Sequence, residues 1–358
     1  MEGARSRPWS DLQPELLGLV IKGLPSLADC VRLRAVCHPW RSNSILQPPP
    51  LPFPWITLPD GTFLSIPAGE IHCLPVPADA CCQSSIDNWL FLVHSDGVCS
   101  LMNIFSKATL ELPELAKVWK REIGRQFLNR FPEPVSYRLA VPPALDSSPN
   151  PLVVTVIIDS FNCGTLCISH PPTVTYSFRG GKESLPHLSG VAFLDGKLYT
   201  LSDCWKLLAL EFCKGFVECG GKLLMVERFI DPVASRTNGR EVFDERAKTV
   251  AFGVLEADLH SKPARWRVAS DLGGHALFLG KHSSKSLPAQ ECSGSQEDCI
   301  YFMCDYPPPE SSANPLRDAG IYNIRNSTIT PLHPRTTVVP PCHAGQWRPT
   351  WFFPPGAV

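Results

Sequence analysis

From Trp55 onward the chain is written as short apolar segments separated by turns, and this recurrence most limits what it can fold into. Asp-Gly supplies the left-handed backbone of a tight hairpin loop, so Asp-Gly between β-rich runs marks two antiparallel strands. Trp55-Ile56-Thr57-Leu58 and Thr62-Phe63-Leu64-Ser65-Ile66 flank Asp60-Gly61. Residues 89–94 and 98–105 flank Asp96-Gly97, and residues 191–194 and 197–201 flank Asp195-Gly196, with 206–212 as a third strand. The same texture predicts a triplet from 152–158, 165–169 and 174–178, and a pair from 223–230 and 249–256. Segments 265–269, 275–280 and 299–305 read as a further set, and 320–325 with 328–332 come last, before the 347–353 tail.

These units recur roughly every 40 to 50 residues, the period of propeller blades. A blade is a small antiparallel sheet that buries its faces only against its neighbours. At that period the β-rich region holds six or seven blades. A pair of β-sandwiches is the competing architecture, but it gives less reason for hairpins to recur over the whole length. One segment departs from the pattern. Residues 112–131 carry Leu115, Val118, Trp119, Ile123, Phe127 and Leu128 at helical spacing, interleaved with Lys117, Lys120, Arg121, Arg125 and Arg130. They predict an amphipathic helix packed on the β domain, or alternatively a basic contact for an acidic partner.

The first fifty residues are different in kind. Pro14 suits the first turn of a helix, where its missing N–H costs nothing. Leu16, Leu17, Val20, Ile21 and Leu24 then recur at helical spacing until Pro25 interrupts. Ser26 and Asp29 open a second helix carrying Leu27, Val31, Leu33, Val36 and Trp40, which His38-Pro39 is expected to end or bend. Helices this short cannot bury a core alone. They cap the following domain or dock on a partner. Residues 47–54, Gln-Pro-Pro-Pro-Leu-Pro-Phe-Pro, read as a stiff polyproline spacer or an ordered surface loop.

Composition narrows the function. Apolar residues make up 44% of the 358, ample for a large core beside a small module. A net charge of −1 with no basic stripe argues against nucleic acid as a partner. No run approaches the roughly 18 apolar residues of a membrane helix, and residues 1–9 lack the apolar core of a secretory signal. Fifteen cysteines, an odd number, then fit reduced thiols in the cytoplasm or nucleus. Cys99, Cys167 and Cys304 sit in apolar runs, where thiols act as small hydrophobes.

Catalytic signatures are absent at the sequence level. There is no Cys-x-x-Cys and no His-x-x-x-His, and adjacent Cys342-His343 would face opposite sides of a strand, so no metal site is expected. The glycine-rich stretch at 215–222 misses the phosphate-loop pattern, because Gly221 stands where lysine is required. No Gly-x-Ser-x-Gly elbow occurs.

Two resemblances add to this reading. Leu12, Pro14, Glu15, Leu16, Leu17, Asp29, Arg32, Arg34, Val36, Cys37, Trp40 and Arg41 match the pattern of an F-box, with Gln13 departing from the usual proline. The resemblance implies a helical module over residues 8–47 that docks on a Skp-type adaptor, and through it on a cullin. The docking residues it implies are Leu12, Pro14, Leu16, Ile21, Leu24, Leu33, Val36, Cys37 and Trp40. Trp89-Leu90-Phe91-Leu92, residues 101–106, Leu112-Pro113, residues 195–199 and Trp351-Phe352-Phe353-Pro354 resemble the KIB-type β-propeller, a plant family commonly fused behind an F-box. Asn103-Ile104-Phe105 and Asp87-Asn88 depart from its usual pattern.

The expected protein is therefore an all-α F-box module (8–47), a proline-rich linker (48–54) and an all-β propeller (55–354). Its implied role is non-catalytic: choosing a protein target for a Skp–cullin–F-box ubiquitin ligase, without a cofactor. A propeller that binds proteins with no ligase role is the alternative, and a propeller enzyme a third.

Overall fold

A computed structural model describes residues 9–22, 32–33, 35–45, 51–58, 60–66, 69–123, 134–141, 145, 151–159, 163–180, 188–194, 197–202, 207–213, 218–219, 221–237, 240–259, 265–280, 284–304, 316–332 and 349–354. A small group of helices precedes a ring of β-sheets. Helix α1 (Pro14–Lys22) begins at its proline, as expected. The second helix does not run on to Trp40. Arg32 and Leu33 are helical, Ala35 and Val36 form a turn, and a separate helix α2 (His38–Ile45) starts at the His-Pro step. Pro39 therefore opens a helix rather than ending one, for the reason that applies at Pro14.

The first sheet takes β1 (Trp55–Thr57), β2 (Phe63–Ser65) and β3 (Ile71–His72). The second takes β4 (Ala80–Ile86), β5 (Trp89–His94), β6 (Cys99–Asn103) and β7 (Thr109–Glu111). Helix α3 (Leu115–Ile123) follows, and then β8 (Pro134–Ala140), β9 (Val153–Asp159), β10 (Gly164–His170) and β11 (Thr173–Arg179) form the third sheet. The fourth has β12 (Leu188–Leu194), β13 (Lys197–Ser202) and β14 (Leu207–Cys213). The fifth has β15 (Glu218–Cys219), β16 (Lys222–Thr237), β17 (Arg240–Asp258) and β18 (Arg265–Val268). The sixth holds β19 (His275–Leu279), β20 (Lys285–Pro288), β21 (Cys299–Phe302), β22 (Gly320–Asn323) and β23 (Thr328–Pro331). The last strand, β24 (Trp351–Phe352), returns to pair with β1 and completes the first sheet.

The strand pattern explains the ring. All seven residues of β9 are buried, because both faces of its blade are covered. Alternate side chains go to opposite faces. Val153 and Ile157 pack toward Trp89, Phe91 and Leu101 of the second sheet, and Val154, Val156 and Ile158 toward Leu188 and Leu198 of the fourth. Each of the other junctions has its own cluster. Phe63 and Phe352 meet Leu90 and Leu92 between the first and second sheets, and Tyr199 meets Leu223 and Trp266 between the fourth and fifth. Phe252 and Val254 meet Leu277, Ile300 and Phe302 between the fifth and sixth, and Ile56 and Leu64 meet Phe278, Tyr301 and Trp351 where the sixth returns to the first. The architecture is a β-propeller, not a pair of sandwiches.

The expectation of six or seven repeated blades is corrected. Among the described residues five sheets, not six or seven, are purely antiparallel blades of three or four strands. The sixth sheet is built differently: it has five strands, and β21 runs parallel to β19. The expected grouping of 265–269 with 275–280 also fails, since β18 is the outer strand of the fifth sheet and pairs with β17. Strand β20 and the loop after it form the crossover that a parallel pair requires. Buried Asp298 pins that crossover. Its carboxylate accepts the Leu272 N–H at 2.7 Å, the Gly274 N–H at 3.4 Å and Arg325 Nε–H, while its own N–H donates to His275 O at 2.9 Å.

Burial alone would raise the Asp298 pKa, but the hydrogen bonds from Leu272, Arg325 and Gly274 outweigh it and hold the carboxyl below its ordinary value of 3.8. A depressed carboxylate stabilises the fold fully above the unfolded value, and that stability is lost as pH falls through the lower folded value. Asp298→Asn is therefore expected to lower stability at neutral pH and to flatten its decline below about pH 4, in urea melts taken across that range.

A second polar clamp joins the fifth and sixth sheets. Arg228 of β16 pairs with buried Asp318 at 3.1 Å, donates to Met303 O at 3.0 Å and lies over the Phe302 ring at 5.0 Å. Asp318 also accepts the Thr249 N–H at 3.0 Å. Asp318→Ala leaves the arginine charge buried without its carboxylate, and is expected to cost about 3–5 kcal/mol in chemical denaturation.

Of the 112–131 stretch, residues 115–123 form helix α3, which starts at Leu115, and residues 124–131 lie outside the described residues. Its apolar stripe of Leu115, Val118, Trp119 and Ile123 is buried in the cluster between the second and third sheets, so this part packs on the host domain. Of its basic residues, Lys117 pairs with Glu114 at 2.7 Å and Arg121 donates to Ser177 Oγ at 2.7 Å.

Candidate functional site

Helix α1 is apolar on two faces. Leu17 and Ile21, one turn apart, are buried with Leu33, and Leu12 and Trp40 pack against them. Among the described residues this small cluster contains none from the β-ring. On the other face Leu16 is 47% exposed and Leu19 66%, with Val20 beside them. Spacing of i, i+3, i+4 places these three on one stripe. Trp9, 79% exposed, and Val36, 62% exposed, are further large apolar groups left open on the helical part. A helix apolar on both faces is normally covered on both, and exposed apolar patches mark protein-contact sites.

The expected docking residues divide accordingly. Leu16 and Val36 are exposed. Pro14 is half-buried at the start of α1, and Leu12 is half-buried against the cluster. Ile21 and Leu33 are buried inside the module, where they hold the helices together. Cys37 is half-buried, and its carbonyl accepts the Arg41 N–H at 3.0 Å, starting α2. The half-buried Trp40 ring donates from Nε1 to Trp9 O at 2.9 Å, which ties α2 to the segment before α1. Leu24 lies outside the described residues. Trp9 and Leu19 are not among the docking residues that the F-box resemblance implies. The signal for Leu19 was present, since it continues the Leu16 stripe beside Val20.

The β-ring offers little to a chemical step among the described residues. No group of three or more His, Cys, Asp or Glu side chains is placed to hold a metal ion there. The Cys342-His343 pair lies outside the described residues. Cys99, Cys167 and Cys304 are buried, as small hydrophobes would be. Burial pushes the Cys99 and Cys292 thiols up to about 11 and Cys167 to about 12, so they carry no thiolate near neutrality.

One constellation has the outline of a hydrolytic triad. His94 Nδ1 lies 3.0 Å from Asp79 Oδ2, and its Nε2 lies 3.0 Å from Ser100 Oγ. The burial runs the wrong way for catalysis. A triad buries its acid and presents its serine to substrate. Here Ser100 is buried within β6 and Asp79 is exposed. The hydrogen bond from His94 also keeps Asp79 below the usual carboxylate value. The group braces the β5–β6 hairpin.

Comparison with known proteins agrees with this architecture. The chain is 22% identical over 376 residues to an F-box protein of Arabidopsis thaliana, SKIP23, with 90% of each chain covered. Residues 63–323, from β2 to the end of β22, match the family model described as the KIB1-4 beta-propeller. That match takes in most of the ring and most of the chain, and it makes this protein a member of the KIB1-4 beta-propeller family.

Proposed function

We propose that the chain is a substrate-recognition subunit of a Skp–cullin–F-box ubiquitin ligase. Its helical module docks on a Skp-type adaptor, and its propeller recruits a protein target. The observation that carries this reading is the second apolar face of α1. Leu17 and Ile21 already meet the module's own need for a core, yet Leu16, Leu19 and Val20 remain open. The Arabidopsis relative, an F-box protein, points the same way. A module that merely capped the propeller would turn those leucines inward.

The role is one of binding. Holding a target lysine near a charged ubiquitin-conjugating enzyme raises its effective concentration, so this chain makes and breaks no bond itself. It works in the cytoplasm or nucleus, in keeping with the free state of the described cysteines. The test is co-purification of the full chain with a plant Skp-type adaptor. Recovery near one to one is the expected result. A folded chain that recovers no adaptor overturns the proposal.

A further inference from the structure

The second half of the proline-rich segment lies on the propeller. Leu51 donates its N–H to Glu291 O at 2.7 Å and accepts the Ser293 N–H at 2.9 Å, forming a parallel bridge to the loop that crosses from β20 to β21. Phe53 is buried, with edge-on contacts to Phe278 at 5.4 Å and Tyr301 at 5.3 Å. Phe278 also meets Trp351 of the ring-closing strand at 5.3 Å. The crossover that makes the sixth sheet irregular is thus the surface that receives the incoming chain.

We infer that Leu51–Phe53 moors the helical module to the propeller and so sets the distance over which a target is presented. Its presentation role rests on the function proposed above; the mooring stands on its own geometry. Covalent reach gives it a scale. From Ile45, the end of α2, to Leu51 is six residue steps, at most about 20 Å of chain. Were the mooring lost, the next fixed point would be Trp55, ten steps away and roughly 35 Å. The volume open to the module would grow about fivefold, and effective concentration would fall in proportion.

Two variants test this. Phe53→Ala removes the plug. A ten-residue Gly/Ser insertion between Pro49 and Pro50 lengthens the tether and leaves every propeller residue in place, so it stays informative if the first variant unfolds. Amide exchange of the chain alone reads the mooring. Leu51 and Ser293 should be protected in the wild type and in the insertion variant, and should lose protection in Phe53→Ala while β5 and β9 keep theirs. Wild-type Leu51 and Ser293 amides that exchange like open chain overturn the inference, with or without an adaptor.

Self-ubiquitination in the reconstituted ligase reads the distance. Wild type should modify a narrow set of propeller lysines, and both variants should lose about fivefold or more in rate at that set with unchanged adaptor recovery. An identical lysine pattern in all three overturns the presentation role. Failure of the wild type to recover adaptor would overturn the proposed function instead, leaving amide exchange to decide the mooring.

Discussion

Leu16→Glu/Leu19→Glu is expected to abolish adaptor capture without changing the melting of the propeller. Both side chains face solvent on α1 and neither belongs to the module's buried cluster, so their loss costs the free protein little. In a complex each leucine would contribute roughly 1.5–3 kcal/mol by burial, so losing two weakens binding about 100-fold or more. The glutamates add the penalty of burying charge without a partner. Titration calorimetry with purified adaptor gives the size of the loss, and circular dichroism shows whether the helices persist. Ile21→Ala and Leu33→Ala should also reduce capture, but by loosening the module, with loss of helical signal. Trp40→Ala belongs with that second group, because its ring packs on the cluster and its Nε1–H holds Trp9 O. Undiminished binding by the double glutamate variant would mean that this face is not the docking surface.

Ending the chain at residue 348 is expected to leave no cooperatively folded propeller. Strand β24 is only two residues long, yet it joins three sheets. Ile56 pairs with Trp351 and Trp55 with Phe352, and Thr57 donates to Thr350 O at 3.0 Å. Ser85 of the second sheet donates to Trp351 O, and Trp351 Nε1 donates to Leu279 O of the sixth at 2.9 Å. The Trp351 ring is fully buried in the cluster between the sixth and first sheets. Trp351→Ala alone should cost about 3–5 kcal/mol, a large share of the 5–15 kcal/mol by which typical domains are stable. The truncation also exposes the edge of β1, an invitation to aggregate. A denaturant melt followed by tryptophan fluorescence decides this; a truncated chain with an unchanged midpoint would show that the ring holds without its closing strand.

Much of this protein was legible in its sequence, and the legible parts are the local ones. Asp60-Gly61 and Asp96-Gly97 form hairpin turns with their glycines at positive φ, as a residue without a Cβ allows. Their flanking strands pair as Ile56 with Leu64 and Phe91 with Leu101. The triplet of β9, β10 and β11 and the pairing of β16 with β17 were equally plain, since each lies in one stretch of chain and consists of short apolar runs joined by turns. Pro14 marked the start of α1, and the Leu16 stripe marked an apolar face.

The tertiary structure decided everything that depends on residues far apart in the chain. Trp351 closes the ring against a strand 295 residues earlier (351 − 56), and no local pattern records such a pairing. Asp298 and its donors from Leu272, Gly274 and Arg325 direct β21 alongside β19, which made the sixth sheet unlike the other five. Leu51 and Phe53 read as spacer because a polyproline run has no internal hydrogen bonds. Only the crossover loop at Glu291–Ser293 and the Phe278–Tyr301 pair give them partners. Leu16 and Leu17 are likewise neighbours of the same type, and packing alone sent one inward and left the other open to a partner. Turn chemistry and side-chain periodicity act over a few residues, so the sequence determined the hairpins, while closure, crossover and exposure are settled by burial between segments that meet only in the folded chain.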